Sequence, residues 1–590
     1  MTAQWWRSAV IYQIYPRSFA DADGDGHGDL DGITSRLDHL SSLGVDALWL
    51  NPFYVSPMAD GGYDIADHTD VDPLFGDLAA FDRLLKAAHA QRLRVIIDFV
   101  PNHTSSRHQW FQESTRSRQD LRRDWYIWHA GRPGTVDGAG EMAPPNNWVS
   151  AFGGSAWTYH PETGQWYLHT FLPDQPDLNW RNPQVEAAMF DVLRFWLNRG
   201  VDGFRVDVAN FILKDPELRD NPPRDPDSPT AYRALGPYDA QIHLHDKGHP
   251  DTHPLYRRLR GLLDQYRHTP DAGGLPAGDR VALGELHTFD WPDWLRAWAS
   301  YYGATIDGRL DPDAQELHLP LNLALIGIPF NASAWREAID AVEAALPHGA
   351  WPTLILGSHD ESRVASRVGS PAAARLAMTA LLTLRGTPIL YYGEEIAMTD
   401  VPVTSDQAHD RWGAQDAEDD RAPSLGPSGG SSVGSSRGLG RDPQRTPMRW
   451  HDGHGAGFTA PGAAPWLPLG LDTAHSNVAS QTDDPTSMLT LTRTLLTLRR
   501  AYPALAIGDY EPLDDLPDGV LGYLRVSPDA SPSVIVLLNF TDTELTLDPD
   551  RLPMPPLPDG RRPLLSTIGG TSTTVPSRLS AHQGLLIALP

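Results

Sequence analysis

The chain predicts an α/β fold, a (β/α)8 TIM barrel with an irregular domain inserted after strand 3 and a C-terminal antiparallel β-sandwich-like domain. Three observations predict it. Short apolar runs alternate with helix-period segments from Val10 to Tyr392, the rhythm breaks once between Thr104 and Leu172, and closely spaced β-rich runs take over after about Tyr502. Alternation of this kind marks βα units, and in a closed barrel of such units the chemistry sits at the C-terminal strand ends.

The elements follow in order. Val10–Tyr15 is a compact apolar run and reads as the first strand; Ala47–Leu50 is the second. Asp77 then caps a helix whose Phe81, Leu84, Leu85 and Ala88 share one face. Arg94–Val100, largely apolar, reads as a strand buried on both faces of a parallel sheet. The segment 104–172, rich in Trp, Gly, Pro and Asn, is too long for a simple loop and reads as an inserted domain. Asn182-Pro183 is an N-cap with proline in the first turn, and Met189, Val192, Leu193, Trp196 and Leu197 carry a helix that Gly200 ends.

Val201–Asp207 is the fourth strand and Val281–Gly284 the fifth, with a helix face at Leu255, Leu259, Leu262, Leu263 and Tyr266 between them. The sixth falls near Leu317–Asn322, the seventh is Thr353–Ser358 and the eighth Pro388–Tyr392. Leu489–Arg500 reads as the last barrel helix, and Val520–Val526, Val534–Phe540 and Leu585–Leu589 as strands of a separate β domain. The expected domains are 1–103 with 173–504, 104–172, and 505–590. The Ser/Gly-rich stretch 424–440 is low in complexity and reads as a surface loop.

The 590 residues carry 48 Lys and Arg against 75 Asp and Glu, a formal net charge of −27. That disfavours nucleic acid and anionic membranes as partners. With no cysteine there are no disulfides, thiolate nucleophiles or zinc–thiolate sites. Met1–Arg7 has no apolar core or cleavage pattern, and no apolar run is long enough to span a bilayer. A cytoplasmic monomer or homodimer acting on a small molecule is expected.

Two stretches carry chemistry directly. In Asp21-Ala-Asp23-Gly-Asp25-Gly-His27-Gly-Asp29, acidic and histidine side chains alternate with residues that permit tight turns, a pattern that wraps a hard cation such as Ca²⁺ or Mg²⁺ in a structural role. Gly32 stands where an EF-hand needs a bidentate Glu, so this is a metal loop of another kind. In Gly203-Phe-Arg205-Val-Asp207, residues two apart on a strand share a face, so Arg205 and Asp207 emerge together at its C-terminal end. Glu285, Asp360 and the His103 of Asp98-Phe-Val-Pro-Asn-His103 also stand at or just beyond strand ends.

These four segments, with Glu285 in Gly-Glu-Leu and Asp360 in His359-Asp360, resemble in order the signatures of the α-amylase family, glycoside hydrolase family 13. Gln175-Pro-Asp-Leu-Asn179, Gly393-Glu-Glu-Ile and Arg445-Thr-Pro-Met-Arg-Trp are similar to its oligo-1,6-glucosidase and α-glucosidase branch. The resemblance spans essentially the whole chain. It implies Asp207 as nucleophile, kept ionised by Arg205, Glu285 as general acid, and Asp360 as a third carboxylate that binds sugar hydroxyls in the transition state. It further implies His103 and His359 as hydroxyl ligands, and Tyr63 and Asp64 as platform and clamp of the innermost sugar pocket, Asp64 paired with an arginine. Arg441 and Arg445 are the candidates for that arginine, Arg441 being favoured.

The implied activity is an exo-acting retaining α-glucosidase on short α-glucosides, with transglycosylation, and the alternative is a glucosyl-transferring or isomerising relative. A non-catalytic transporter heavy chain of this family would lack the carboxylates and carry a membrane helix. Val208, directly after the nucleophile, resembles α-1,6-preferring enzymes, while Asn210–Asn221 resembles enzymes acting on short α-1,4 substrates. Ser358 replaces the Asn that usually precedes His359-Asp360, and Asp23 stands where the branch often has Asn.

Overall fold

The computed structural model describes residues 4–132, 142–225, 236–269, 275, 277–410, 440–548, 563–569 and 576–589. Most of the Ser/Gly-rich stretch expected as a loop, 424–439, lies outside them. Eight strands form one sheet: β1 (Ile11–Ile14), β2 (Ala47–Leu50), β3 (Arg94–Phe99), β4 (Gly203–Val206), β5 (Val281–Gly284), β6 (Leu319–Pro320), β7 (Thr353–Ile355) and β8 (Thr387–Tyr391). Their spatial order is 6-5-4-3-2-1-8-7, and every hydrogen-bonded pair is parallel. This is the expected (β/α)8 barrel.

Between β6 and β7 the described residues form no ladder. Pro320 gives β6 one N–H fewer, and a side chain spans the seam instead. The Thr353 hydroxyl donates to Pro320 O at 3.1 Å and accepts from Asn322 N at 2.9 Å.

Register decides which side chains meet inside the barrel. Asp98 on β3 lies across from Arg205 on β4, and Arg205 across from Leu283 on β5. Gln13 on β1 lies across from Trp49 on β2. Side chains alternate along a strand, so these positions look into the barrel at its C-terminal end, above an apolar interior that includes Ile11, Ala47, Ile96, Val281 and Ile389. β4 and β5 approach so closely at Gly203 that a Cβ there would stand 2.5 Å from Val281 Cγ2 and 2.6 Å from its carbonyl oxygen. Only glycine fits.

The helices form where the sequence marks them. Asp77 accepts from Ala80 N at 2.7 Å to cap Leu78–Ala90. Asn182 caps Pro183–Arg199, which ends at Gly200 in the left-handed region with φ 107°. Trp196 of the second helix meets Phe81 of the first edge-on at 4.9 Å. Burying each such large apolar side chain contributes about 1.5–3 kcal/mol.

Two regions hold structure that the periodicity does not reveal. The inserted segment contains a helix, Gln109–Ser114, and a three-stranded antiparallel sheet of Trp128–His129, Gln165–Leu168 and Trp157–His160. Its core gathers Trp148, Trp157 and Trp166. Before β6, Gly303–Ile306 and Arg309–Gln315 pair as a hairpin that is exposed along most of its length, so no apolar alternation announces it.

The C-terminal sheet is antiparallel, in the order Asp509–Pro512, Val520–Val526, Ser533–Asn539, Gly584–Leu589, Pro563–Ser566. One face carries Ile535, Leu537, Leu585 and Ile587 under the short pair Leu545–Thr546 and Arg578–Leu579. Arg525, fully buried, ties the sheet to the barrel side by donating to Thr383 O and Leu505 O. Among the described residues, no helix is long and apolar enough to cross a membrane.

Candidate active site

One cleft of about 1380 Å³, open to solvent at its mouth, lies over the C-terminal end of the barrel. Asp207, Glu285, Asp360, Tyr63, His103, Arg205, Val208, His359 and Arg441 all line it. The strand ends bring together residues far apart in sequence.

Arg205 is the hub. Its Nη1 lies 2.6 Å from Asp207 Oδ1 and 3.6 Å from Asp98 Oδ1, and its Nη2 lies 2.8 Å from Glu285 Oε2. Burial works against its charge, but the surrounding Glu285, Tyr63, Asp98 and Asp207 hold its pKa well above the usual value. One guanidinium therefore bridges two of the three carboxyls that the sequence singles out.

Arg205 favours the ionised form of both carboxyls, against the burial that opposes it. Burial raises the Asp207 pKa well above the usual carboxylate value, and Arg205 only partly offsets it. At Glu285 burial also works upward, but Arg205 and His287 outweigh it and hold the carboxyl down at about 2. The sequence spacing places Arg205 beside Asp207; only the fold brings Glu285 to the other edge of the same guanidinium.

Asp360 is held in its ionised form. Against burial, His359 at 3.0 Å, Arg441 at 3.1 Å and Arg445 at 2.9 Å hold it well below the usual range. Both candidate arginines therefore reach this carboxylate. Gln13 Nε2 donates to His359 Nδ1 at 2.9 Å, which leaves the imidazole proton on Nε2, facing Asp360 Oδ2. Tyr63 lies parallel to the His359 ring at 5.3 Å and donates to Asp98 Oδ2 at 2.8 Å. The Ser358 hydroxyl accepts from Asp360 N at 3.2 Å and so steadies the turn that presents the carboxylate.

Asp64 does not take the clamp position. Its carboxylate turns away from the cleft and accepts from Ser56 Oγ, Ala59 N and Asp60 N, each at 3.0 Å. Burial raises its pKa to about 6. The arginine partner belongs to Asp60, which lines the cleft and receives Arg441 Nη2 at 2.6 Å and Gln175 Nε2 at 2.9 Å. The same Gln175 amide lies 3.1 Å from His103 Nε2. Two Asp residues flank one Gly-Gly turn in the sequence, and the turn alone decides which faces the sugar pocket.

Val208 has φ 36°, in the left-handed region where a β-branched residue is strained. The strain costs about 1–3 kcal/mol and is held by Glu285, whose Oε2 accepts from Val208 N at 3.1 Å and whose carbonyl accepts from Ala209 N at 2.7 Å. Beyond Val208 the cleft wall is aromatic, with Phe152, Phe171 and Phe211. The sequence does not single these out, because Phe is common and their positions lie on three different loops.

In the expected metal loop, Asp21, Asp23 and Asp29 offer carboxylate oxygens that all lie within 4.8 Å of one another. Asp21 is oriented by Gly24 N and Gly26 N, and Asp29 by Ala22 N and Gly32 N. Asp25 and His27 do not join them. Asp25 accepts from His27 N, and the His27 ring accepts from Arg17 Nε at 3.0 Å.

Residues 13–508 match the model of the alpha amylase catalytic domain. The chain is 40% identical over 559 residues to a probable alpha-glucosidase of Rhizobium meliloti (strain 1021), covering 93% of this chain and 91% of that one. It is 34% identical over 552 residues to the oligo-1,6-glucosidase of Parageobacillus thermoglucosidasius, covering 92% and 91%. Among solved structures, that of the alpha-glucosyl transfer enzyme XgtA superposes with a TM-score of 0.83 at 38% identity over 100% of both chains. With a barrel of this topology, three carboxylates at its strand ends and a family model matched over most of its length, the chain belongs to the α-amylase family, glycoside hydrolase family 13.

Proposed function

We propose that the chain is an exo-acting retaining α-glucosidase that releases terminal non-reducing glucose from short α-glucosides of the maltose and isomalto-oligosaccharide type, with transglycosylation as a side reaction. The observation that carries this is the Arg205 bridge, which holds Asp207 and Glu285 side by side in one cleft. Retaining hydrolysis uses two carboxyl groups about 5–5.5 Å apart, one as nucleophile and one as acid and then base. Asp207 attacks the anomeric carbon while Glu285 protonates the leaving oxygen; Glu285 then takes a proton from the water that releases glucose.

Arg205 supplies one positive charge to two carboxyls, so they titrate as a pair. The reaction needs the pair's proton on Glu285. A glycosidic oxygen resting against Glu285 accepts a hydrogen bond from its neutral form and favours that form. Arg205 retains its 2.6 Å contact with Asp207 and favours the anion there. Asp360 faces the positive charge that develops on the sugar ring. Asp60 with Arg441 closes the inner end of the pocket, which favours attack on chain ends over internal bonds.

A second reading, glucosyl transfer or isomerisation, draws support from the aromatic wall at Phe152, Phe171 and Phe211, whose apolar faces would disfavour water beside the intermediate, and from the similarity to an alpha-glucosyl transfer enzyme. Initial rates and product analysis on maltose, isomaltose, sucrose and trehalose distinguish the two. Free glucose as the main early product supports hydrolysis, and a sugar isomer or glucosylated acceptor supports transfer. Faster internal cleavage of starch would exclude the exo assignment. Val208 and the 210–221 loop pull linkage preference in opposite directions, and one apolar contact discriminates by only about 1–3 kcal/mol, so maltose and isomaltose rates should differ by less than about 200-fold.

Asp21, Asp23 and Asp29 would hold a Ca²⁺ or Mg²⁺ ion, since hard cations take carboxylate and carbonyl oxygens. The ion would neutralise three crowded acids and tie the loop to Thr459, whose hydroxyl donates to Asp21 Oδ2. A chelator is expected to lower the melting temperature by about 2–5 °C. Asp21→Ala should show the lowered value without chelator and no further drop with it, as read by calorimetry.

A further inference from the structure

We propose that Asp410 is a positioning residue of the catalytic site, acting through Arg441; this rests on the glucosidase assignment above. Asp410 does not line the cleft. Its two oxygens take one whole edge of the Arg441 guanidinium, with Oδ2 accepting from Nε at 2.8 Å and Oδ1 from Nη2 at 3.0 Å. Oδ2 also accepts from the Arg441 backbone N at 2.7 Å. A bidentate pair of this kind fixes the plane of the guanidinium as well as its place.

With that edge held, the other donors have defined directions. Nη2 reaches Asp60 Oδ1 at 2.6 Å and Nη1 reaches Asp360 Oδ1 at 3.1 Å. Arg441 thus serves both the inner clamp and the carboxylate that faces the reacting sugar. Asp410 and Arg441 are each 8% exposed and Asp60 is 7% exposed, so solvent screens these contacts little. Phe152 covers the guanidinium face, its ring centroid 5.4 Å from Cζ.

Asp410 is itself held in place. Asp442 Oδ2 accepts from Asp410 N at 2.9 Å and from His409 N at 2.6 Å. The pairs Asp410–Arg441 and Asp442–Asp410 therefore join two short stretches of chain, 409–410 and 441–442, into one rigid unit behind the sugar pocket. Released from Asp410, the Arg441 cation would still face Asp60 and Asp360 but could swing between them and compete with sugar hydroxyls for both carboxylates.

The test is a double-mutant cycle on kcat and KM for maltose and for 4-nitrophenyl α-glucoside. Asp410→Asn presents an NH2 group to a donor edge and is expected to lower kcat/KM between about 10- and 100-fold, the scale of a displacement near 1 Å. Arg441→Ala is expected to lower it at least as far. If Asp410 acts through Arg441, adding Asp410→Asn to Arg441→Ala costs no more than about 3-fold further. Asp410→Glu, which keeps the charge, should recover part of the loss.

Additive losses in the double variant, or an Asp410→Asn enzyme with wild-type kcat and KM, overturn the inference. If Asp410→Asn does not fold, as judged by its melting transition, the cycle is run with Asp410→Ala and the same criterion. A wild-type chain that turns over neither glucoside overturns the assignment of the site and this inference with it, whereas wild-type turnover with additive variants overturns the inference alone.

Discussion

Asp207→Asn is expected to lower kcat on 4-nitrophenyl α-glucoside by more than about 10⁴-fold, the scale seen when a nucleophile that works within a group is removed. Asn has nearly the same shape and cannot form the glycosyl ester. The fold should not suffer. Burial raises the Asp207 pKa, so its charged form is less stable in the folded chain than in the unfolded one. A carboxyl with a raised folded pKa contributes stability below its unfolded pKa and loses it as pH rises through the folded value. At neutral pH a neutral Asn is therefore expected to melt at or above the wild-type temperature, with Arg205 still paired to Glu285 at 2.8 Å. Loss of activity with an unchanged or raised melting temperature is the signature of a residue that serves chemistry at a cost in stability. Turnover near the wild-type rate would remove Asp207 from the nucleophile's role.

The second large effect is that of Glu285→Gln, and it depends on the leaving group. A general acid is worth about 10²–10⁴-fold where the departing oxygen needs its proton. Maltose hydrolysis is expected to fall by that much. A 2,4-dinitrophenyl α-glucoside, whose phenolate leaves unaided, should form the glycosyl–enzyme at nearly the wild-type rate. Equal losses on both substrates would mean that Glu285 holds the site together rather than donating a proton. The pH profile separates the two carboxyls further. In the wild type, kcat/KM requires one proton on the Asp207–Glu285 pair, so activity falls below the lower ionisation and above the upper one. Gln at 285 leaves a single ionisation in place of the pair's two. Only the acid limb, set by ionisation of Asp207, should remain when the dinitrophenyl substrate is followed across pH.

Much of this molecule was legible in its sequence. The apolar runs that became β1 to β5, β7 and β8 are local patterns, and each predicted catalytic carboxylate stands at or just beyond a strand end. β6 was hard to read because only Leu319 and Pro320 form it, too few for any period. The inserted sheet leaves no period in the sequence for the same reason, its strands being two to four residues long and aromatic on both faces. The metal loop was legible as a run of acids, yet only three of its five predicted side chains converge, because tight turns point Asp25 and His27 elsewhere.

By itself the sequence determined the barrel, the family and the three carboxylates, since these rest on spacing along a strand and on short ordered motifs. The tertiary structure decided which charge meets which. Arg441 reaches Asp60 across 381 residues of chain while Asp64, four residues further on, turns into a backbone cage. Arg205 divides its fork between Asp207, two residues away, and Glu285, which arrives on the neighbouring strand. Spacing specifies the face of one element on which a side chain lies. The partner it meets depends on the register between elements and on the turns that present them, and those are settled only when the barrel closes.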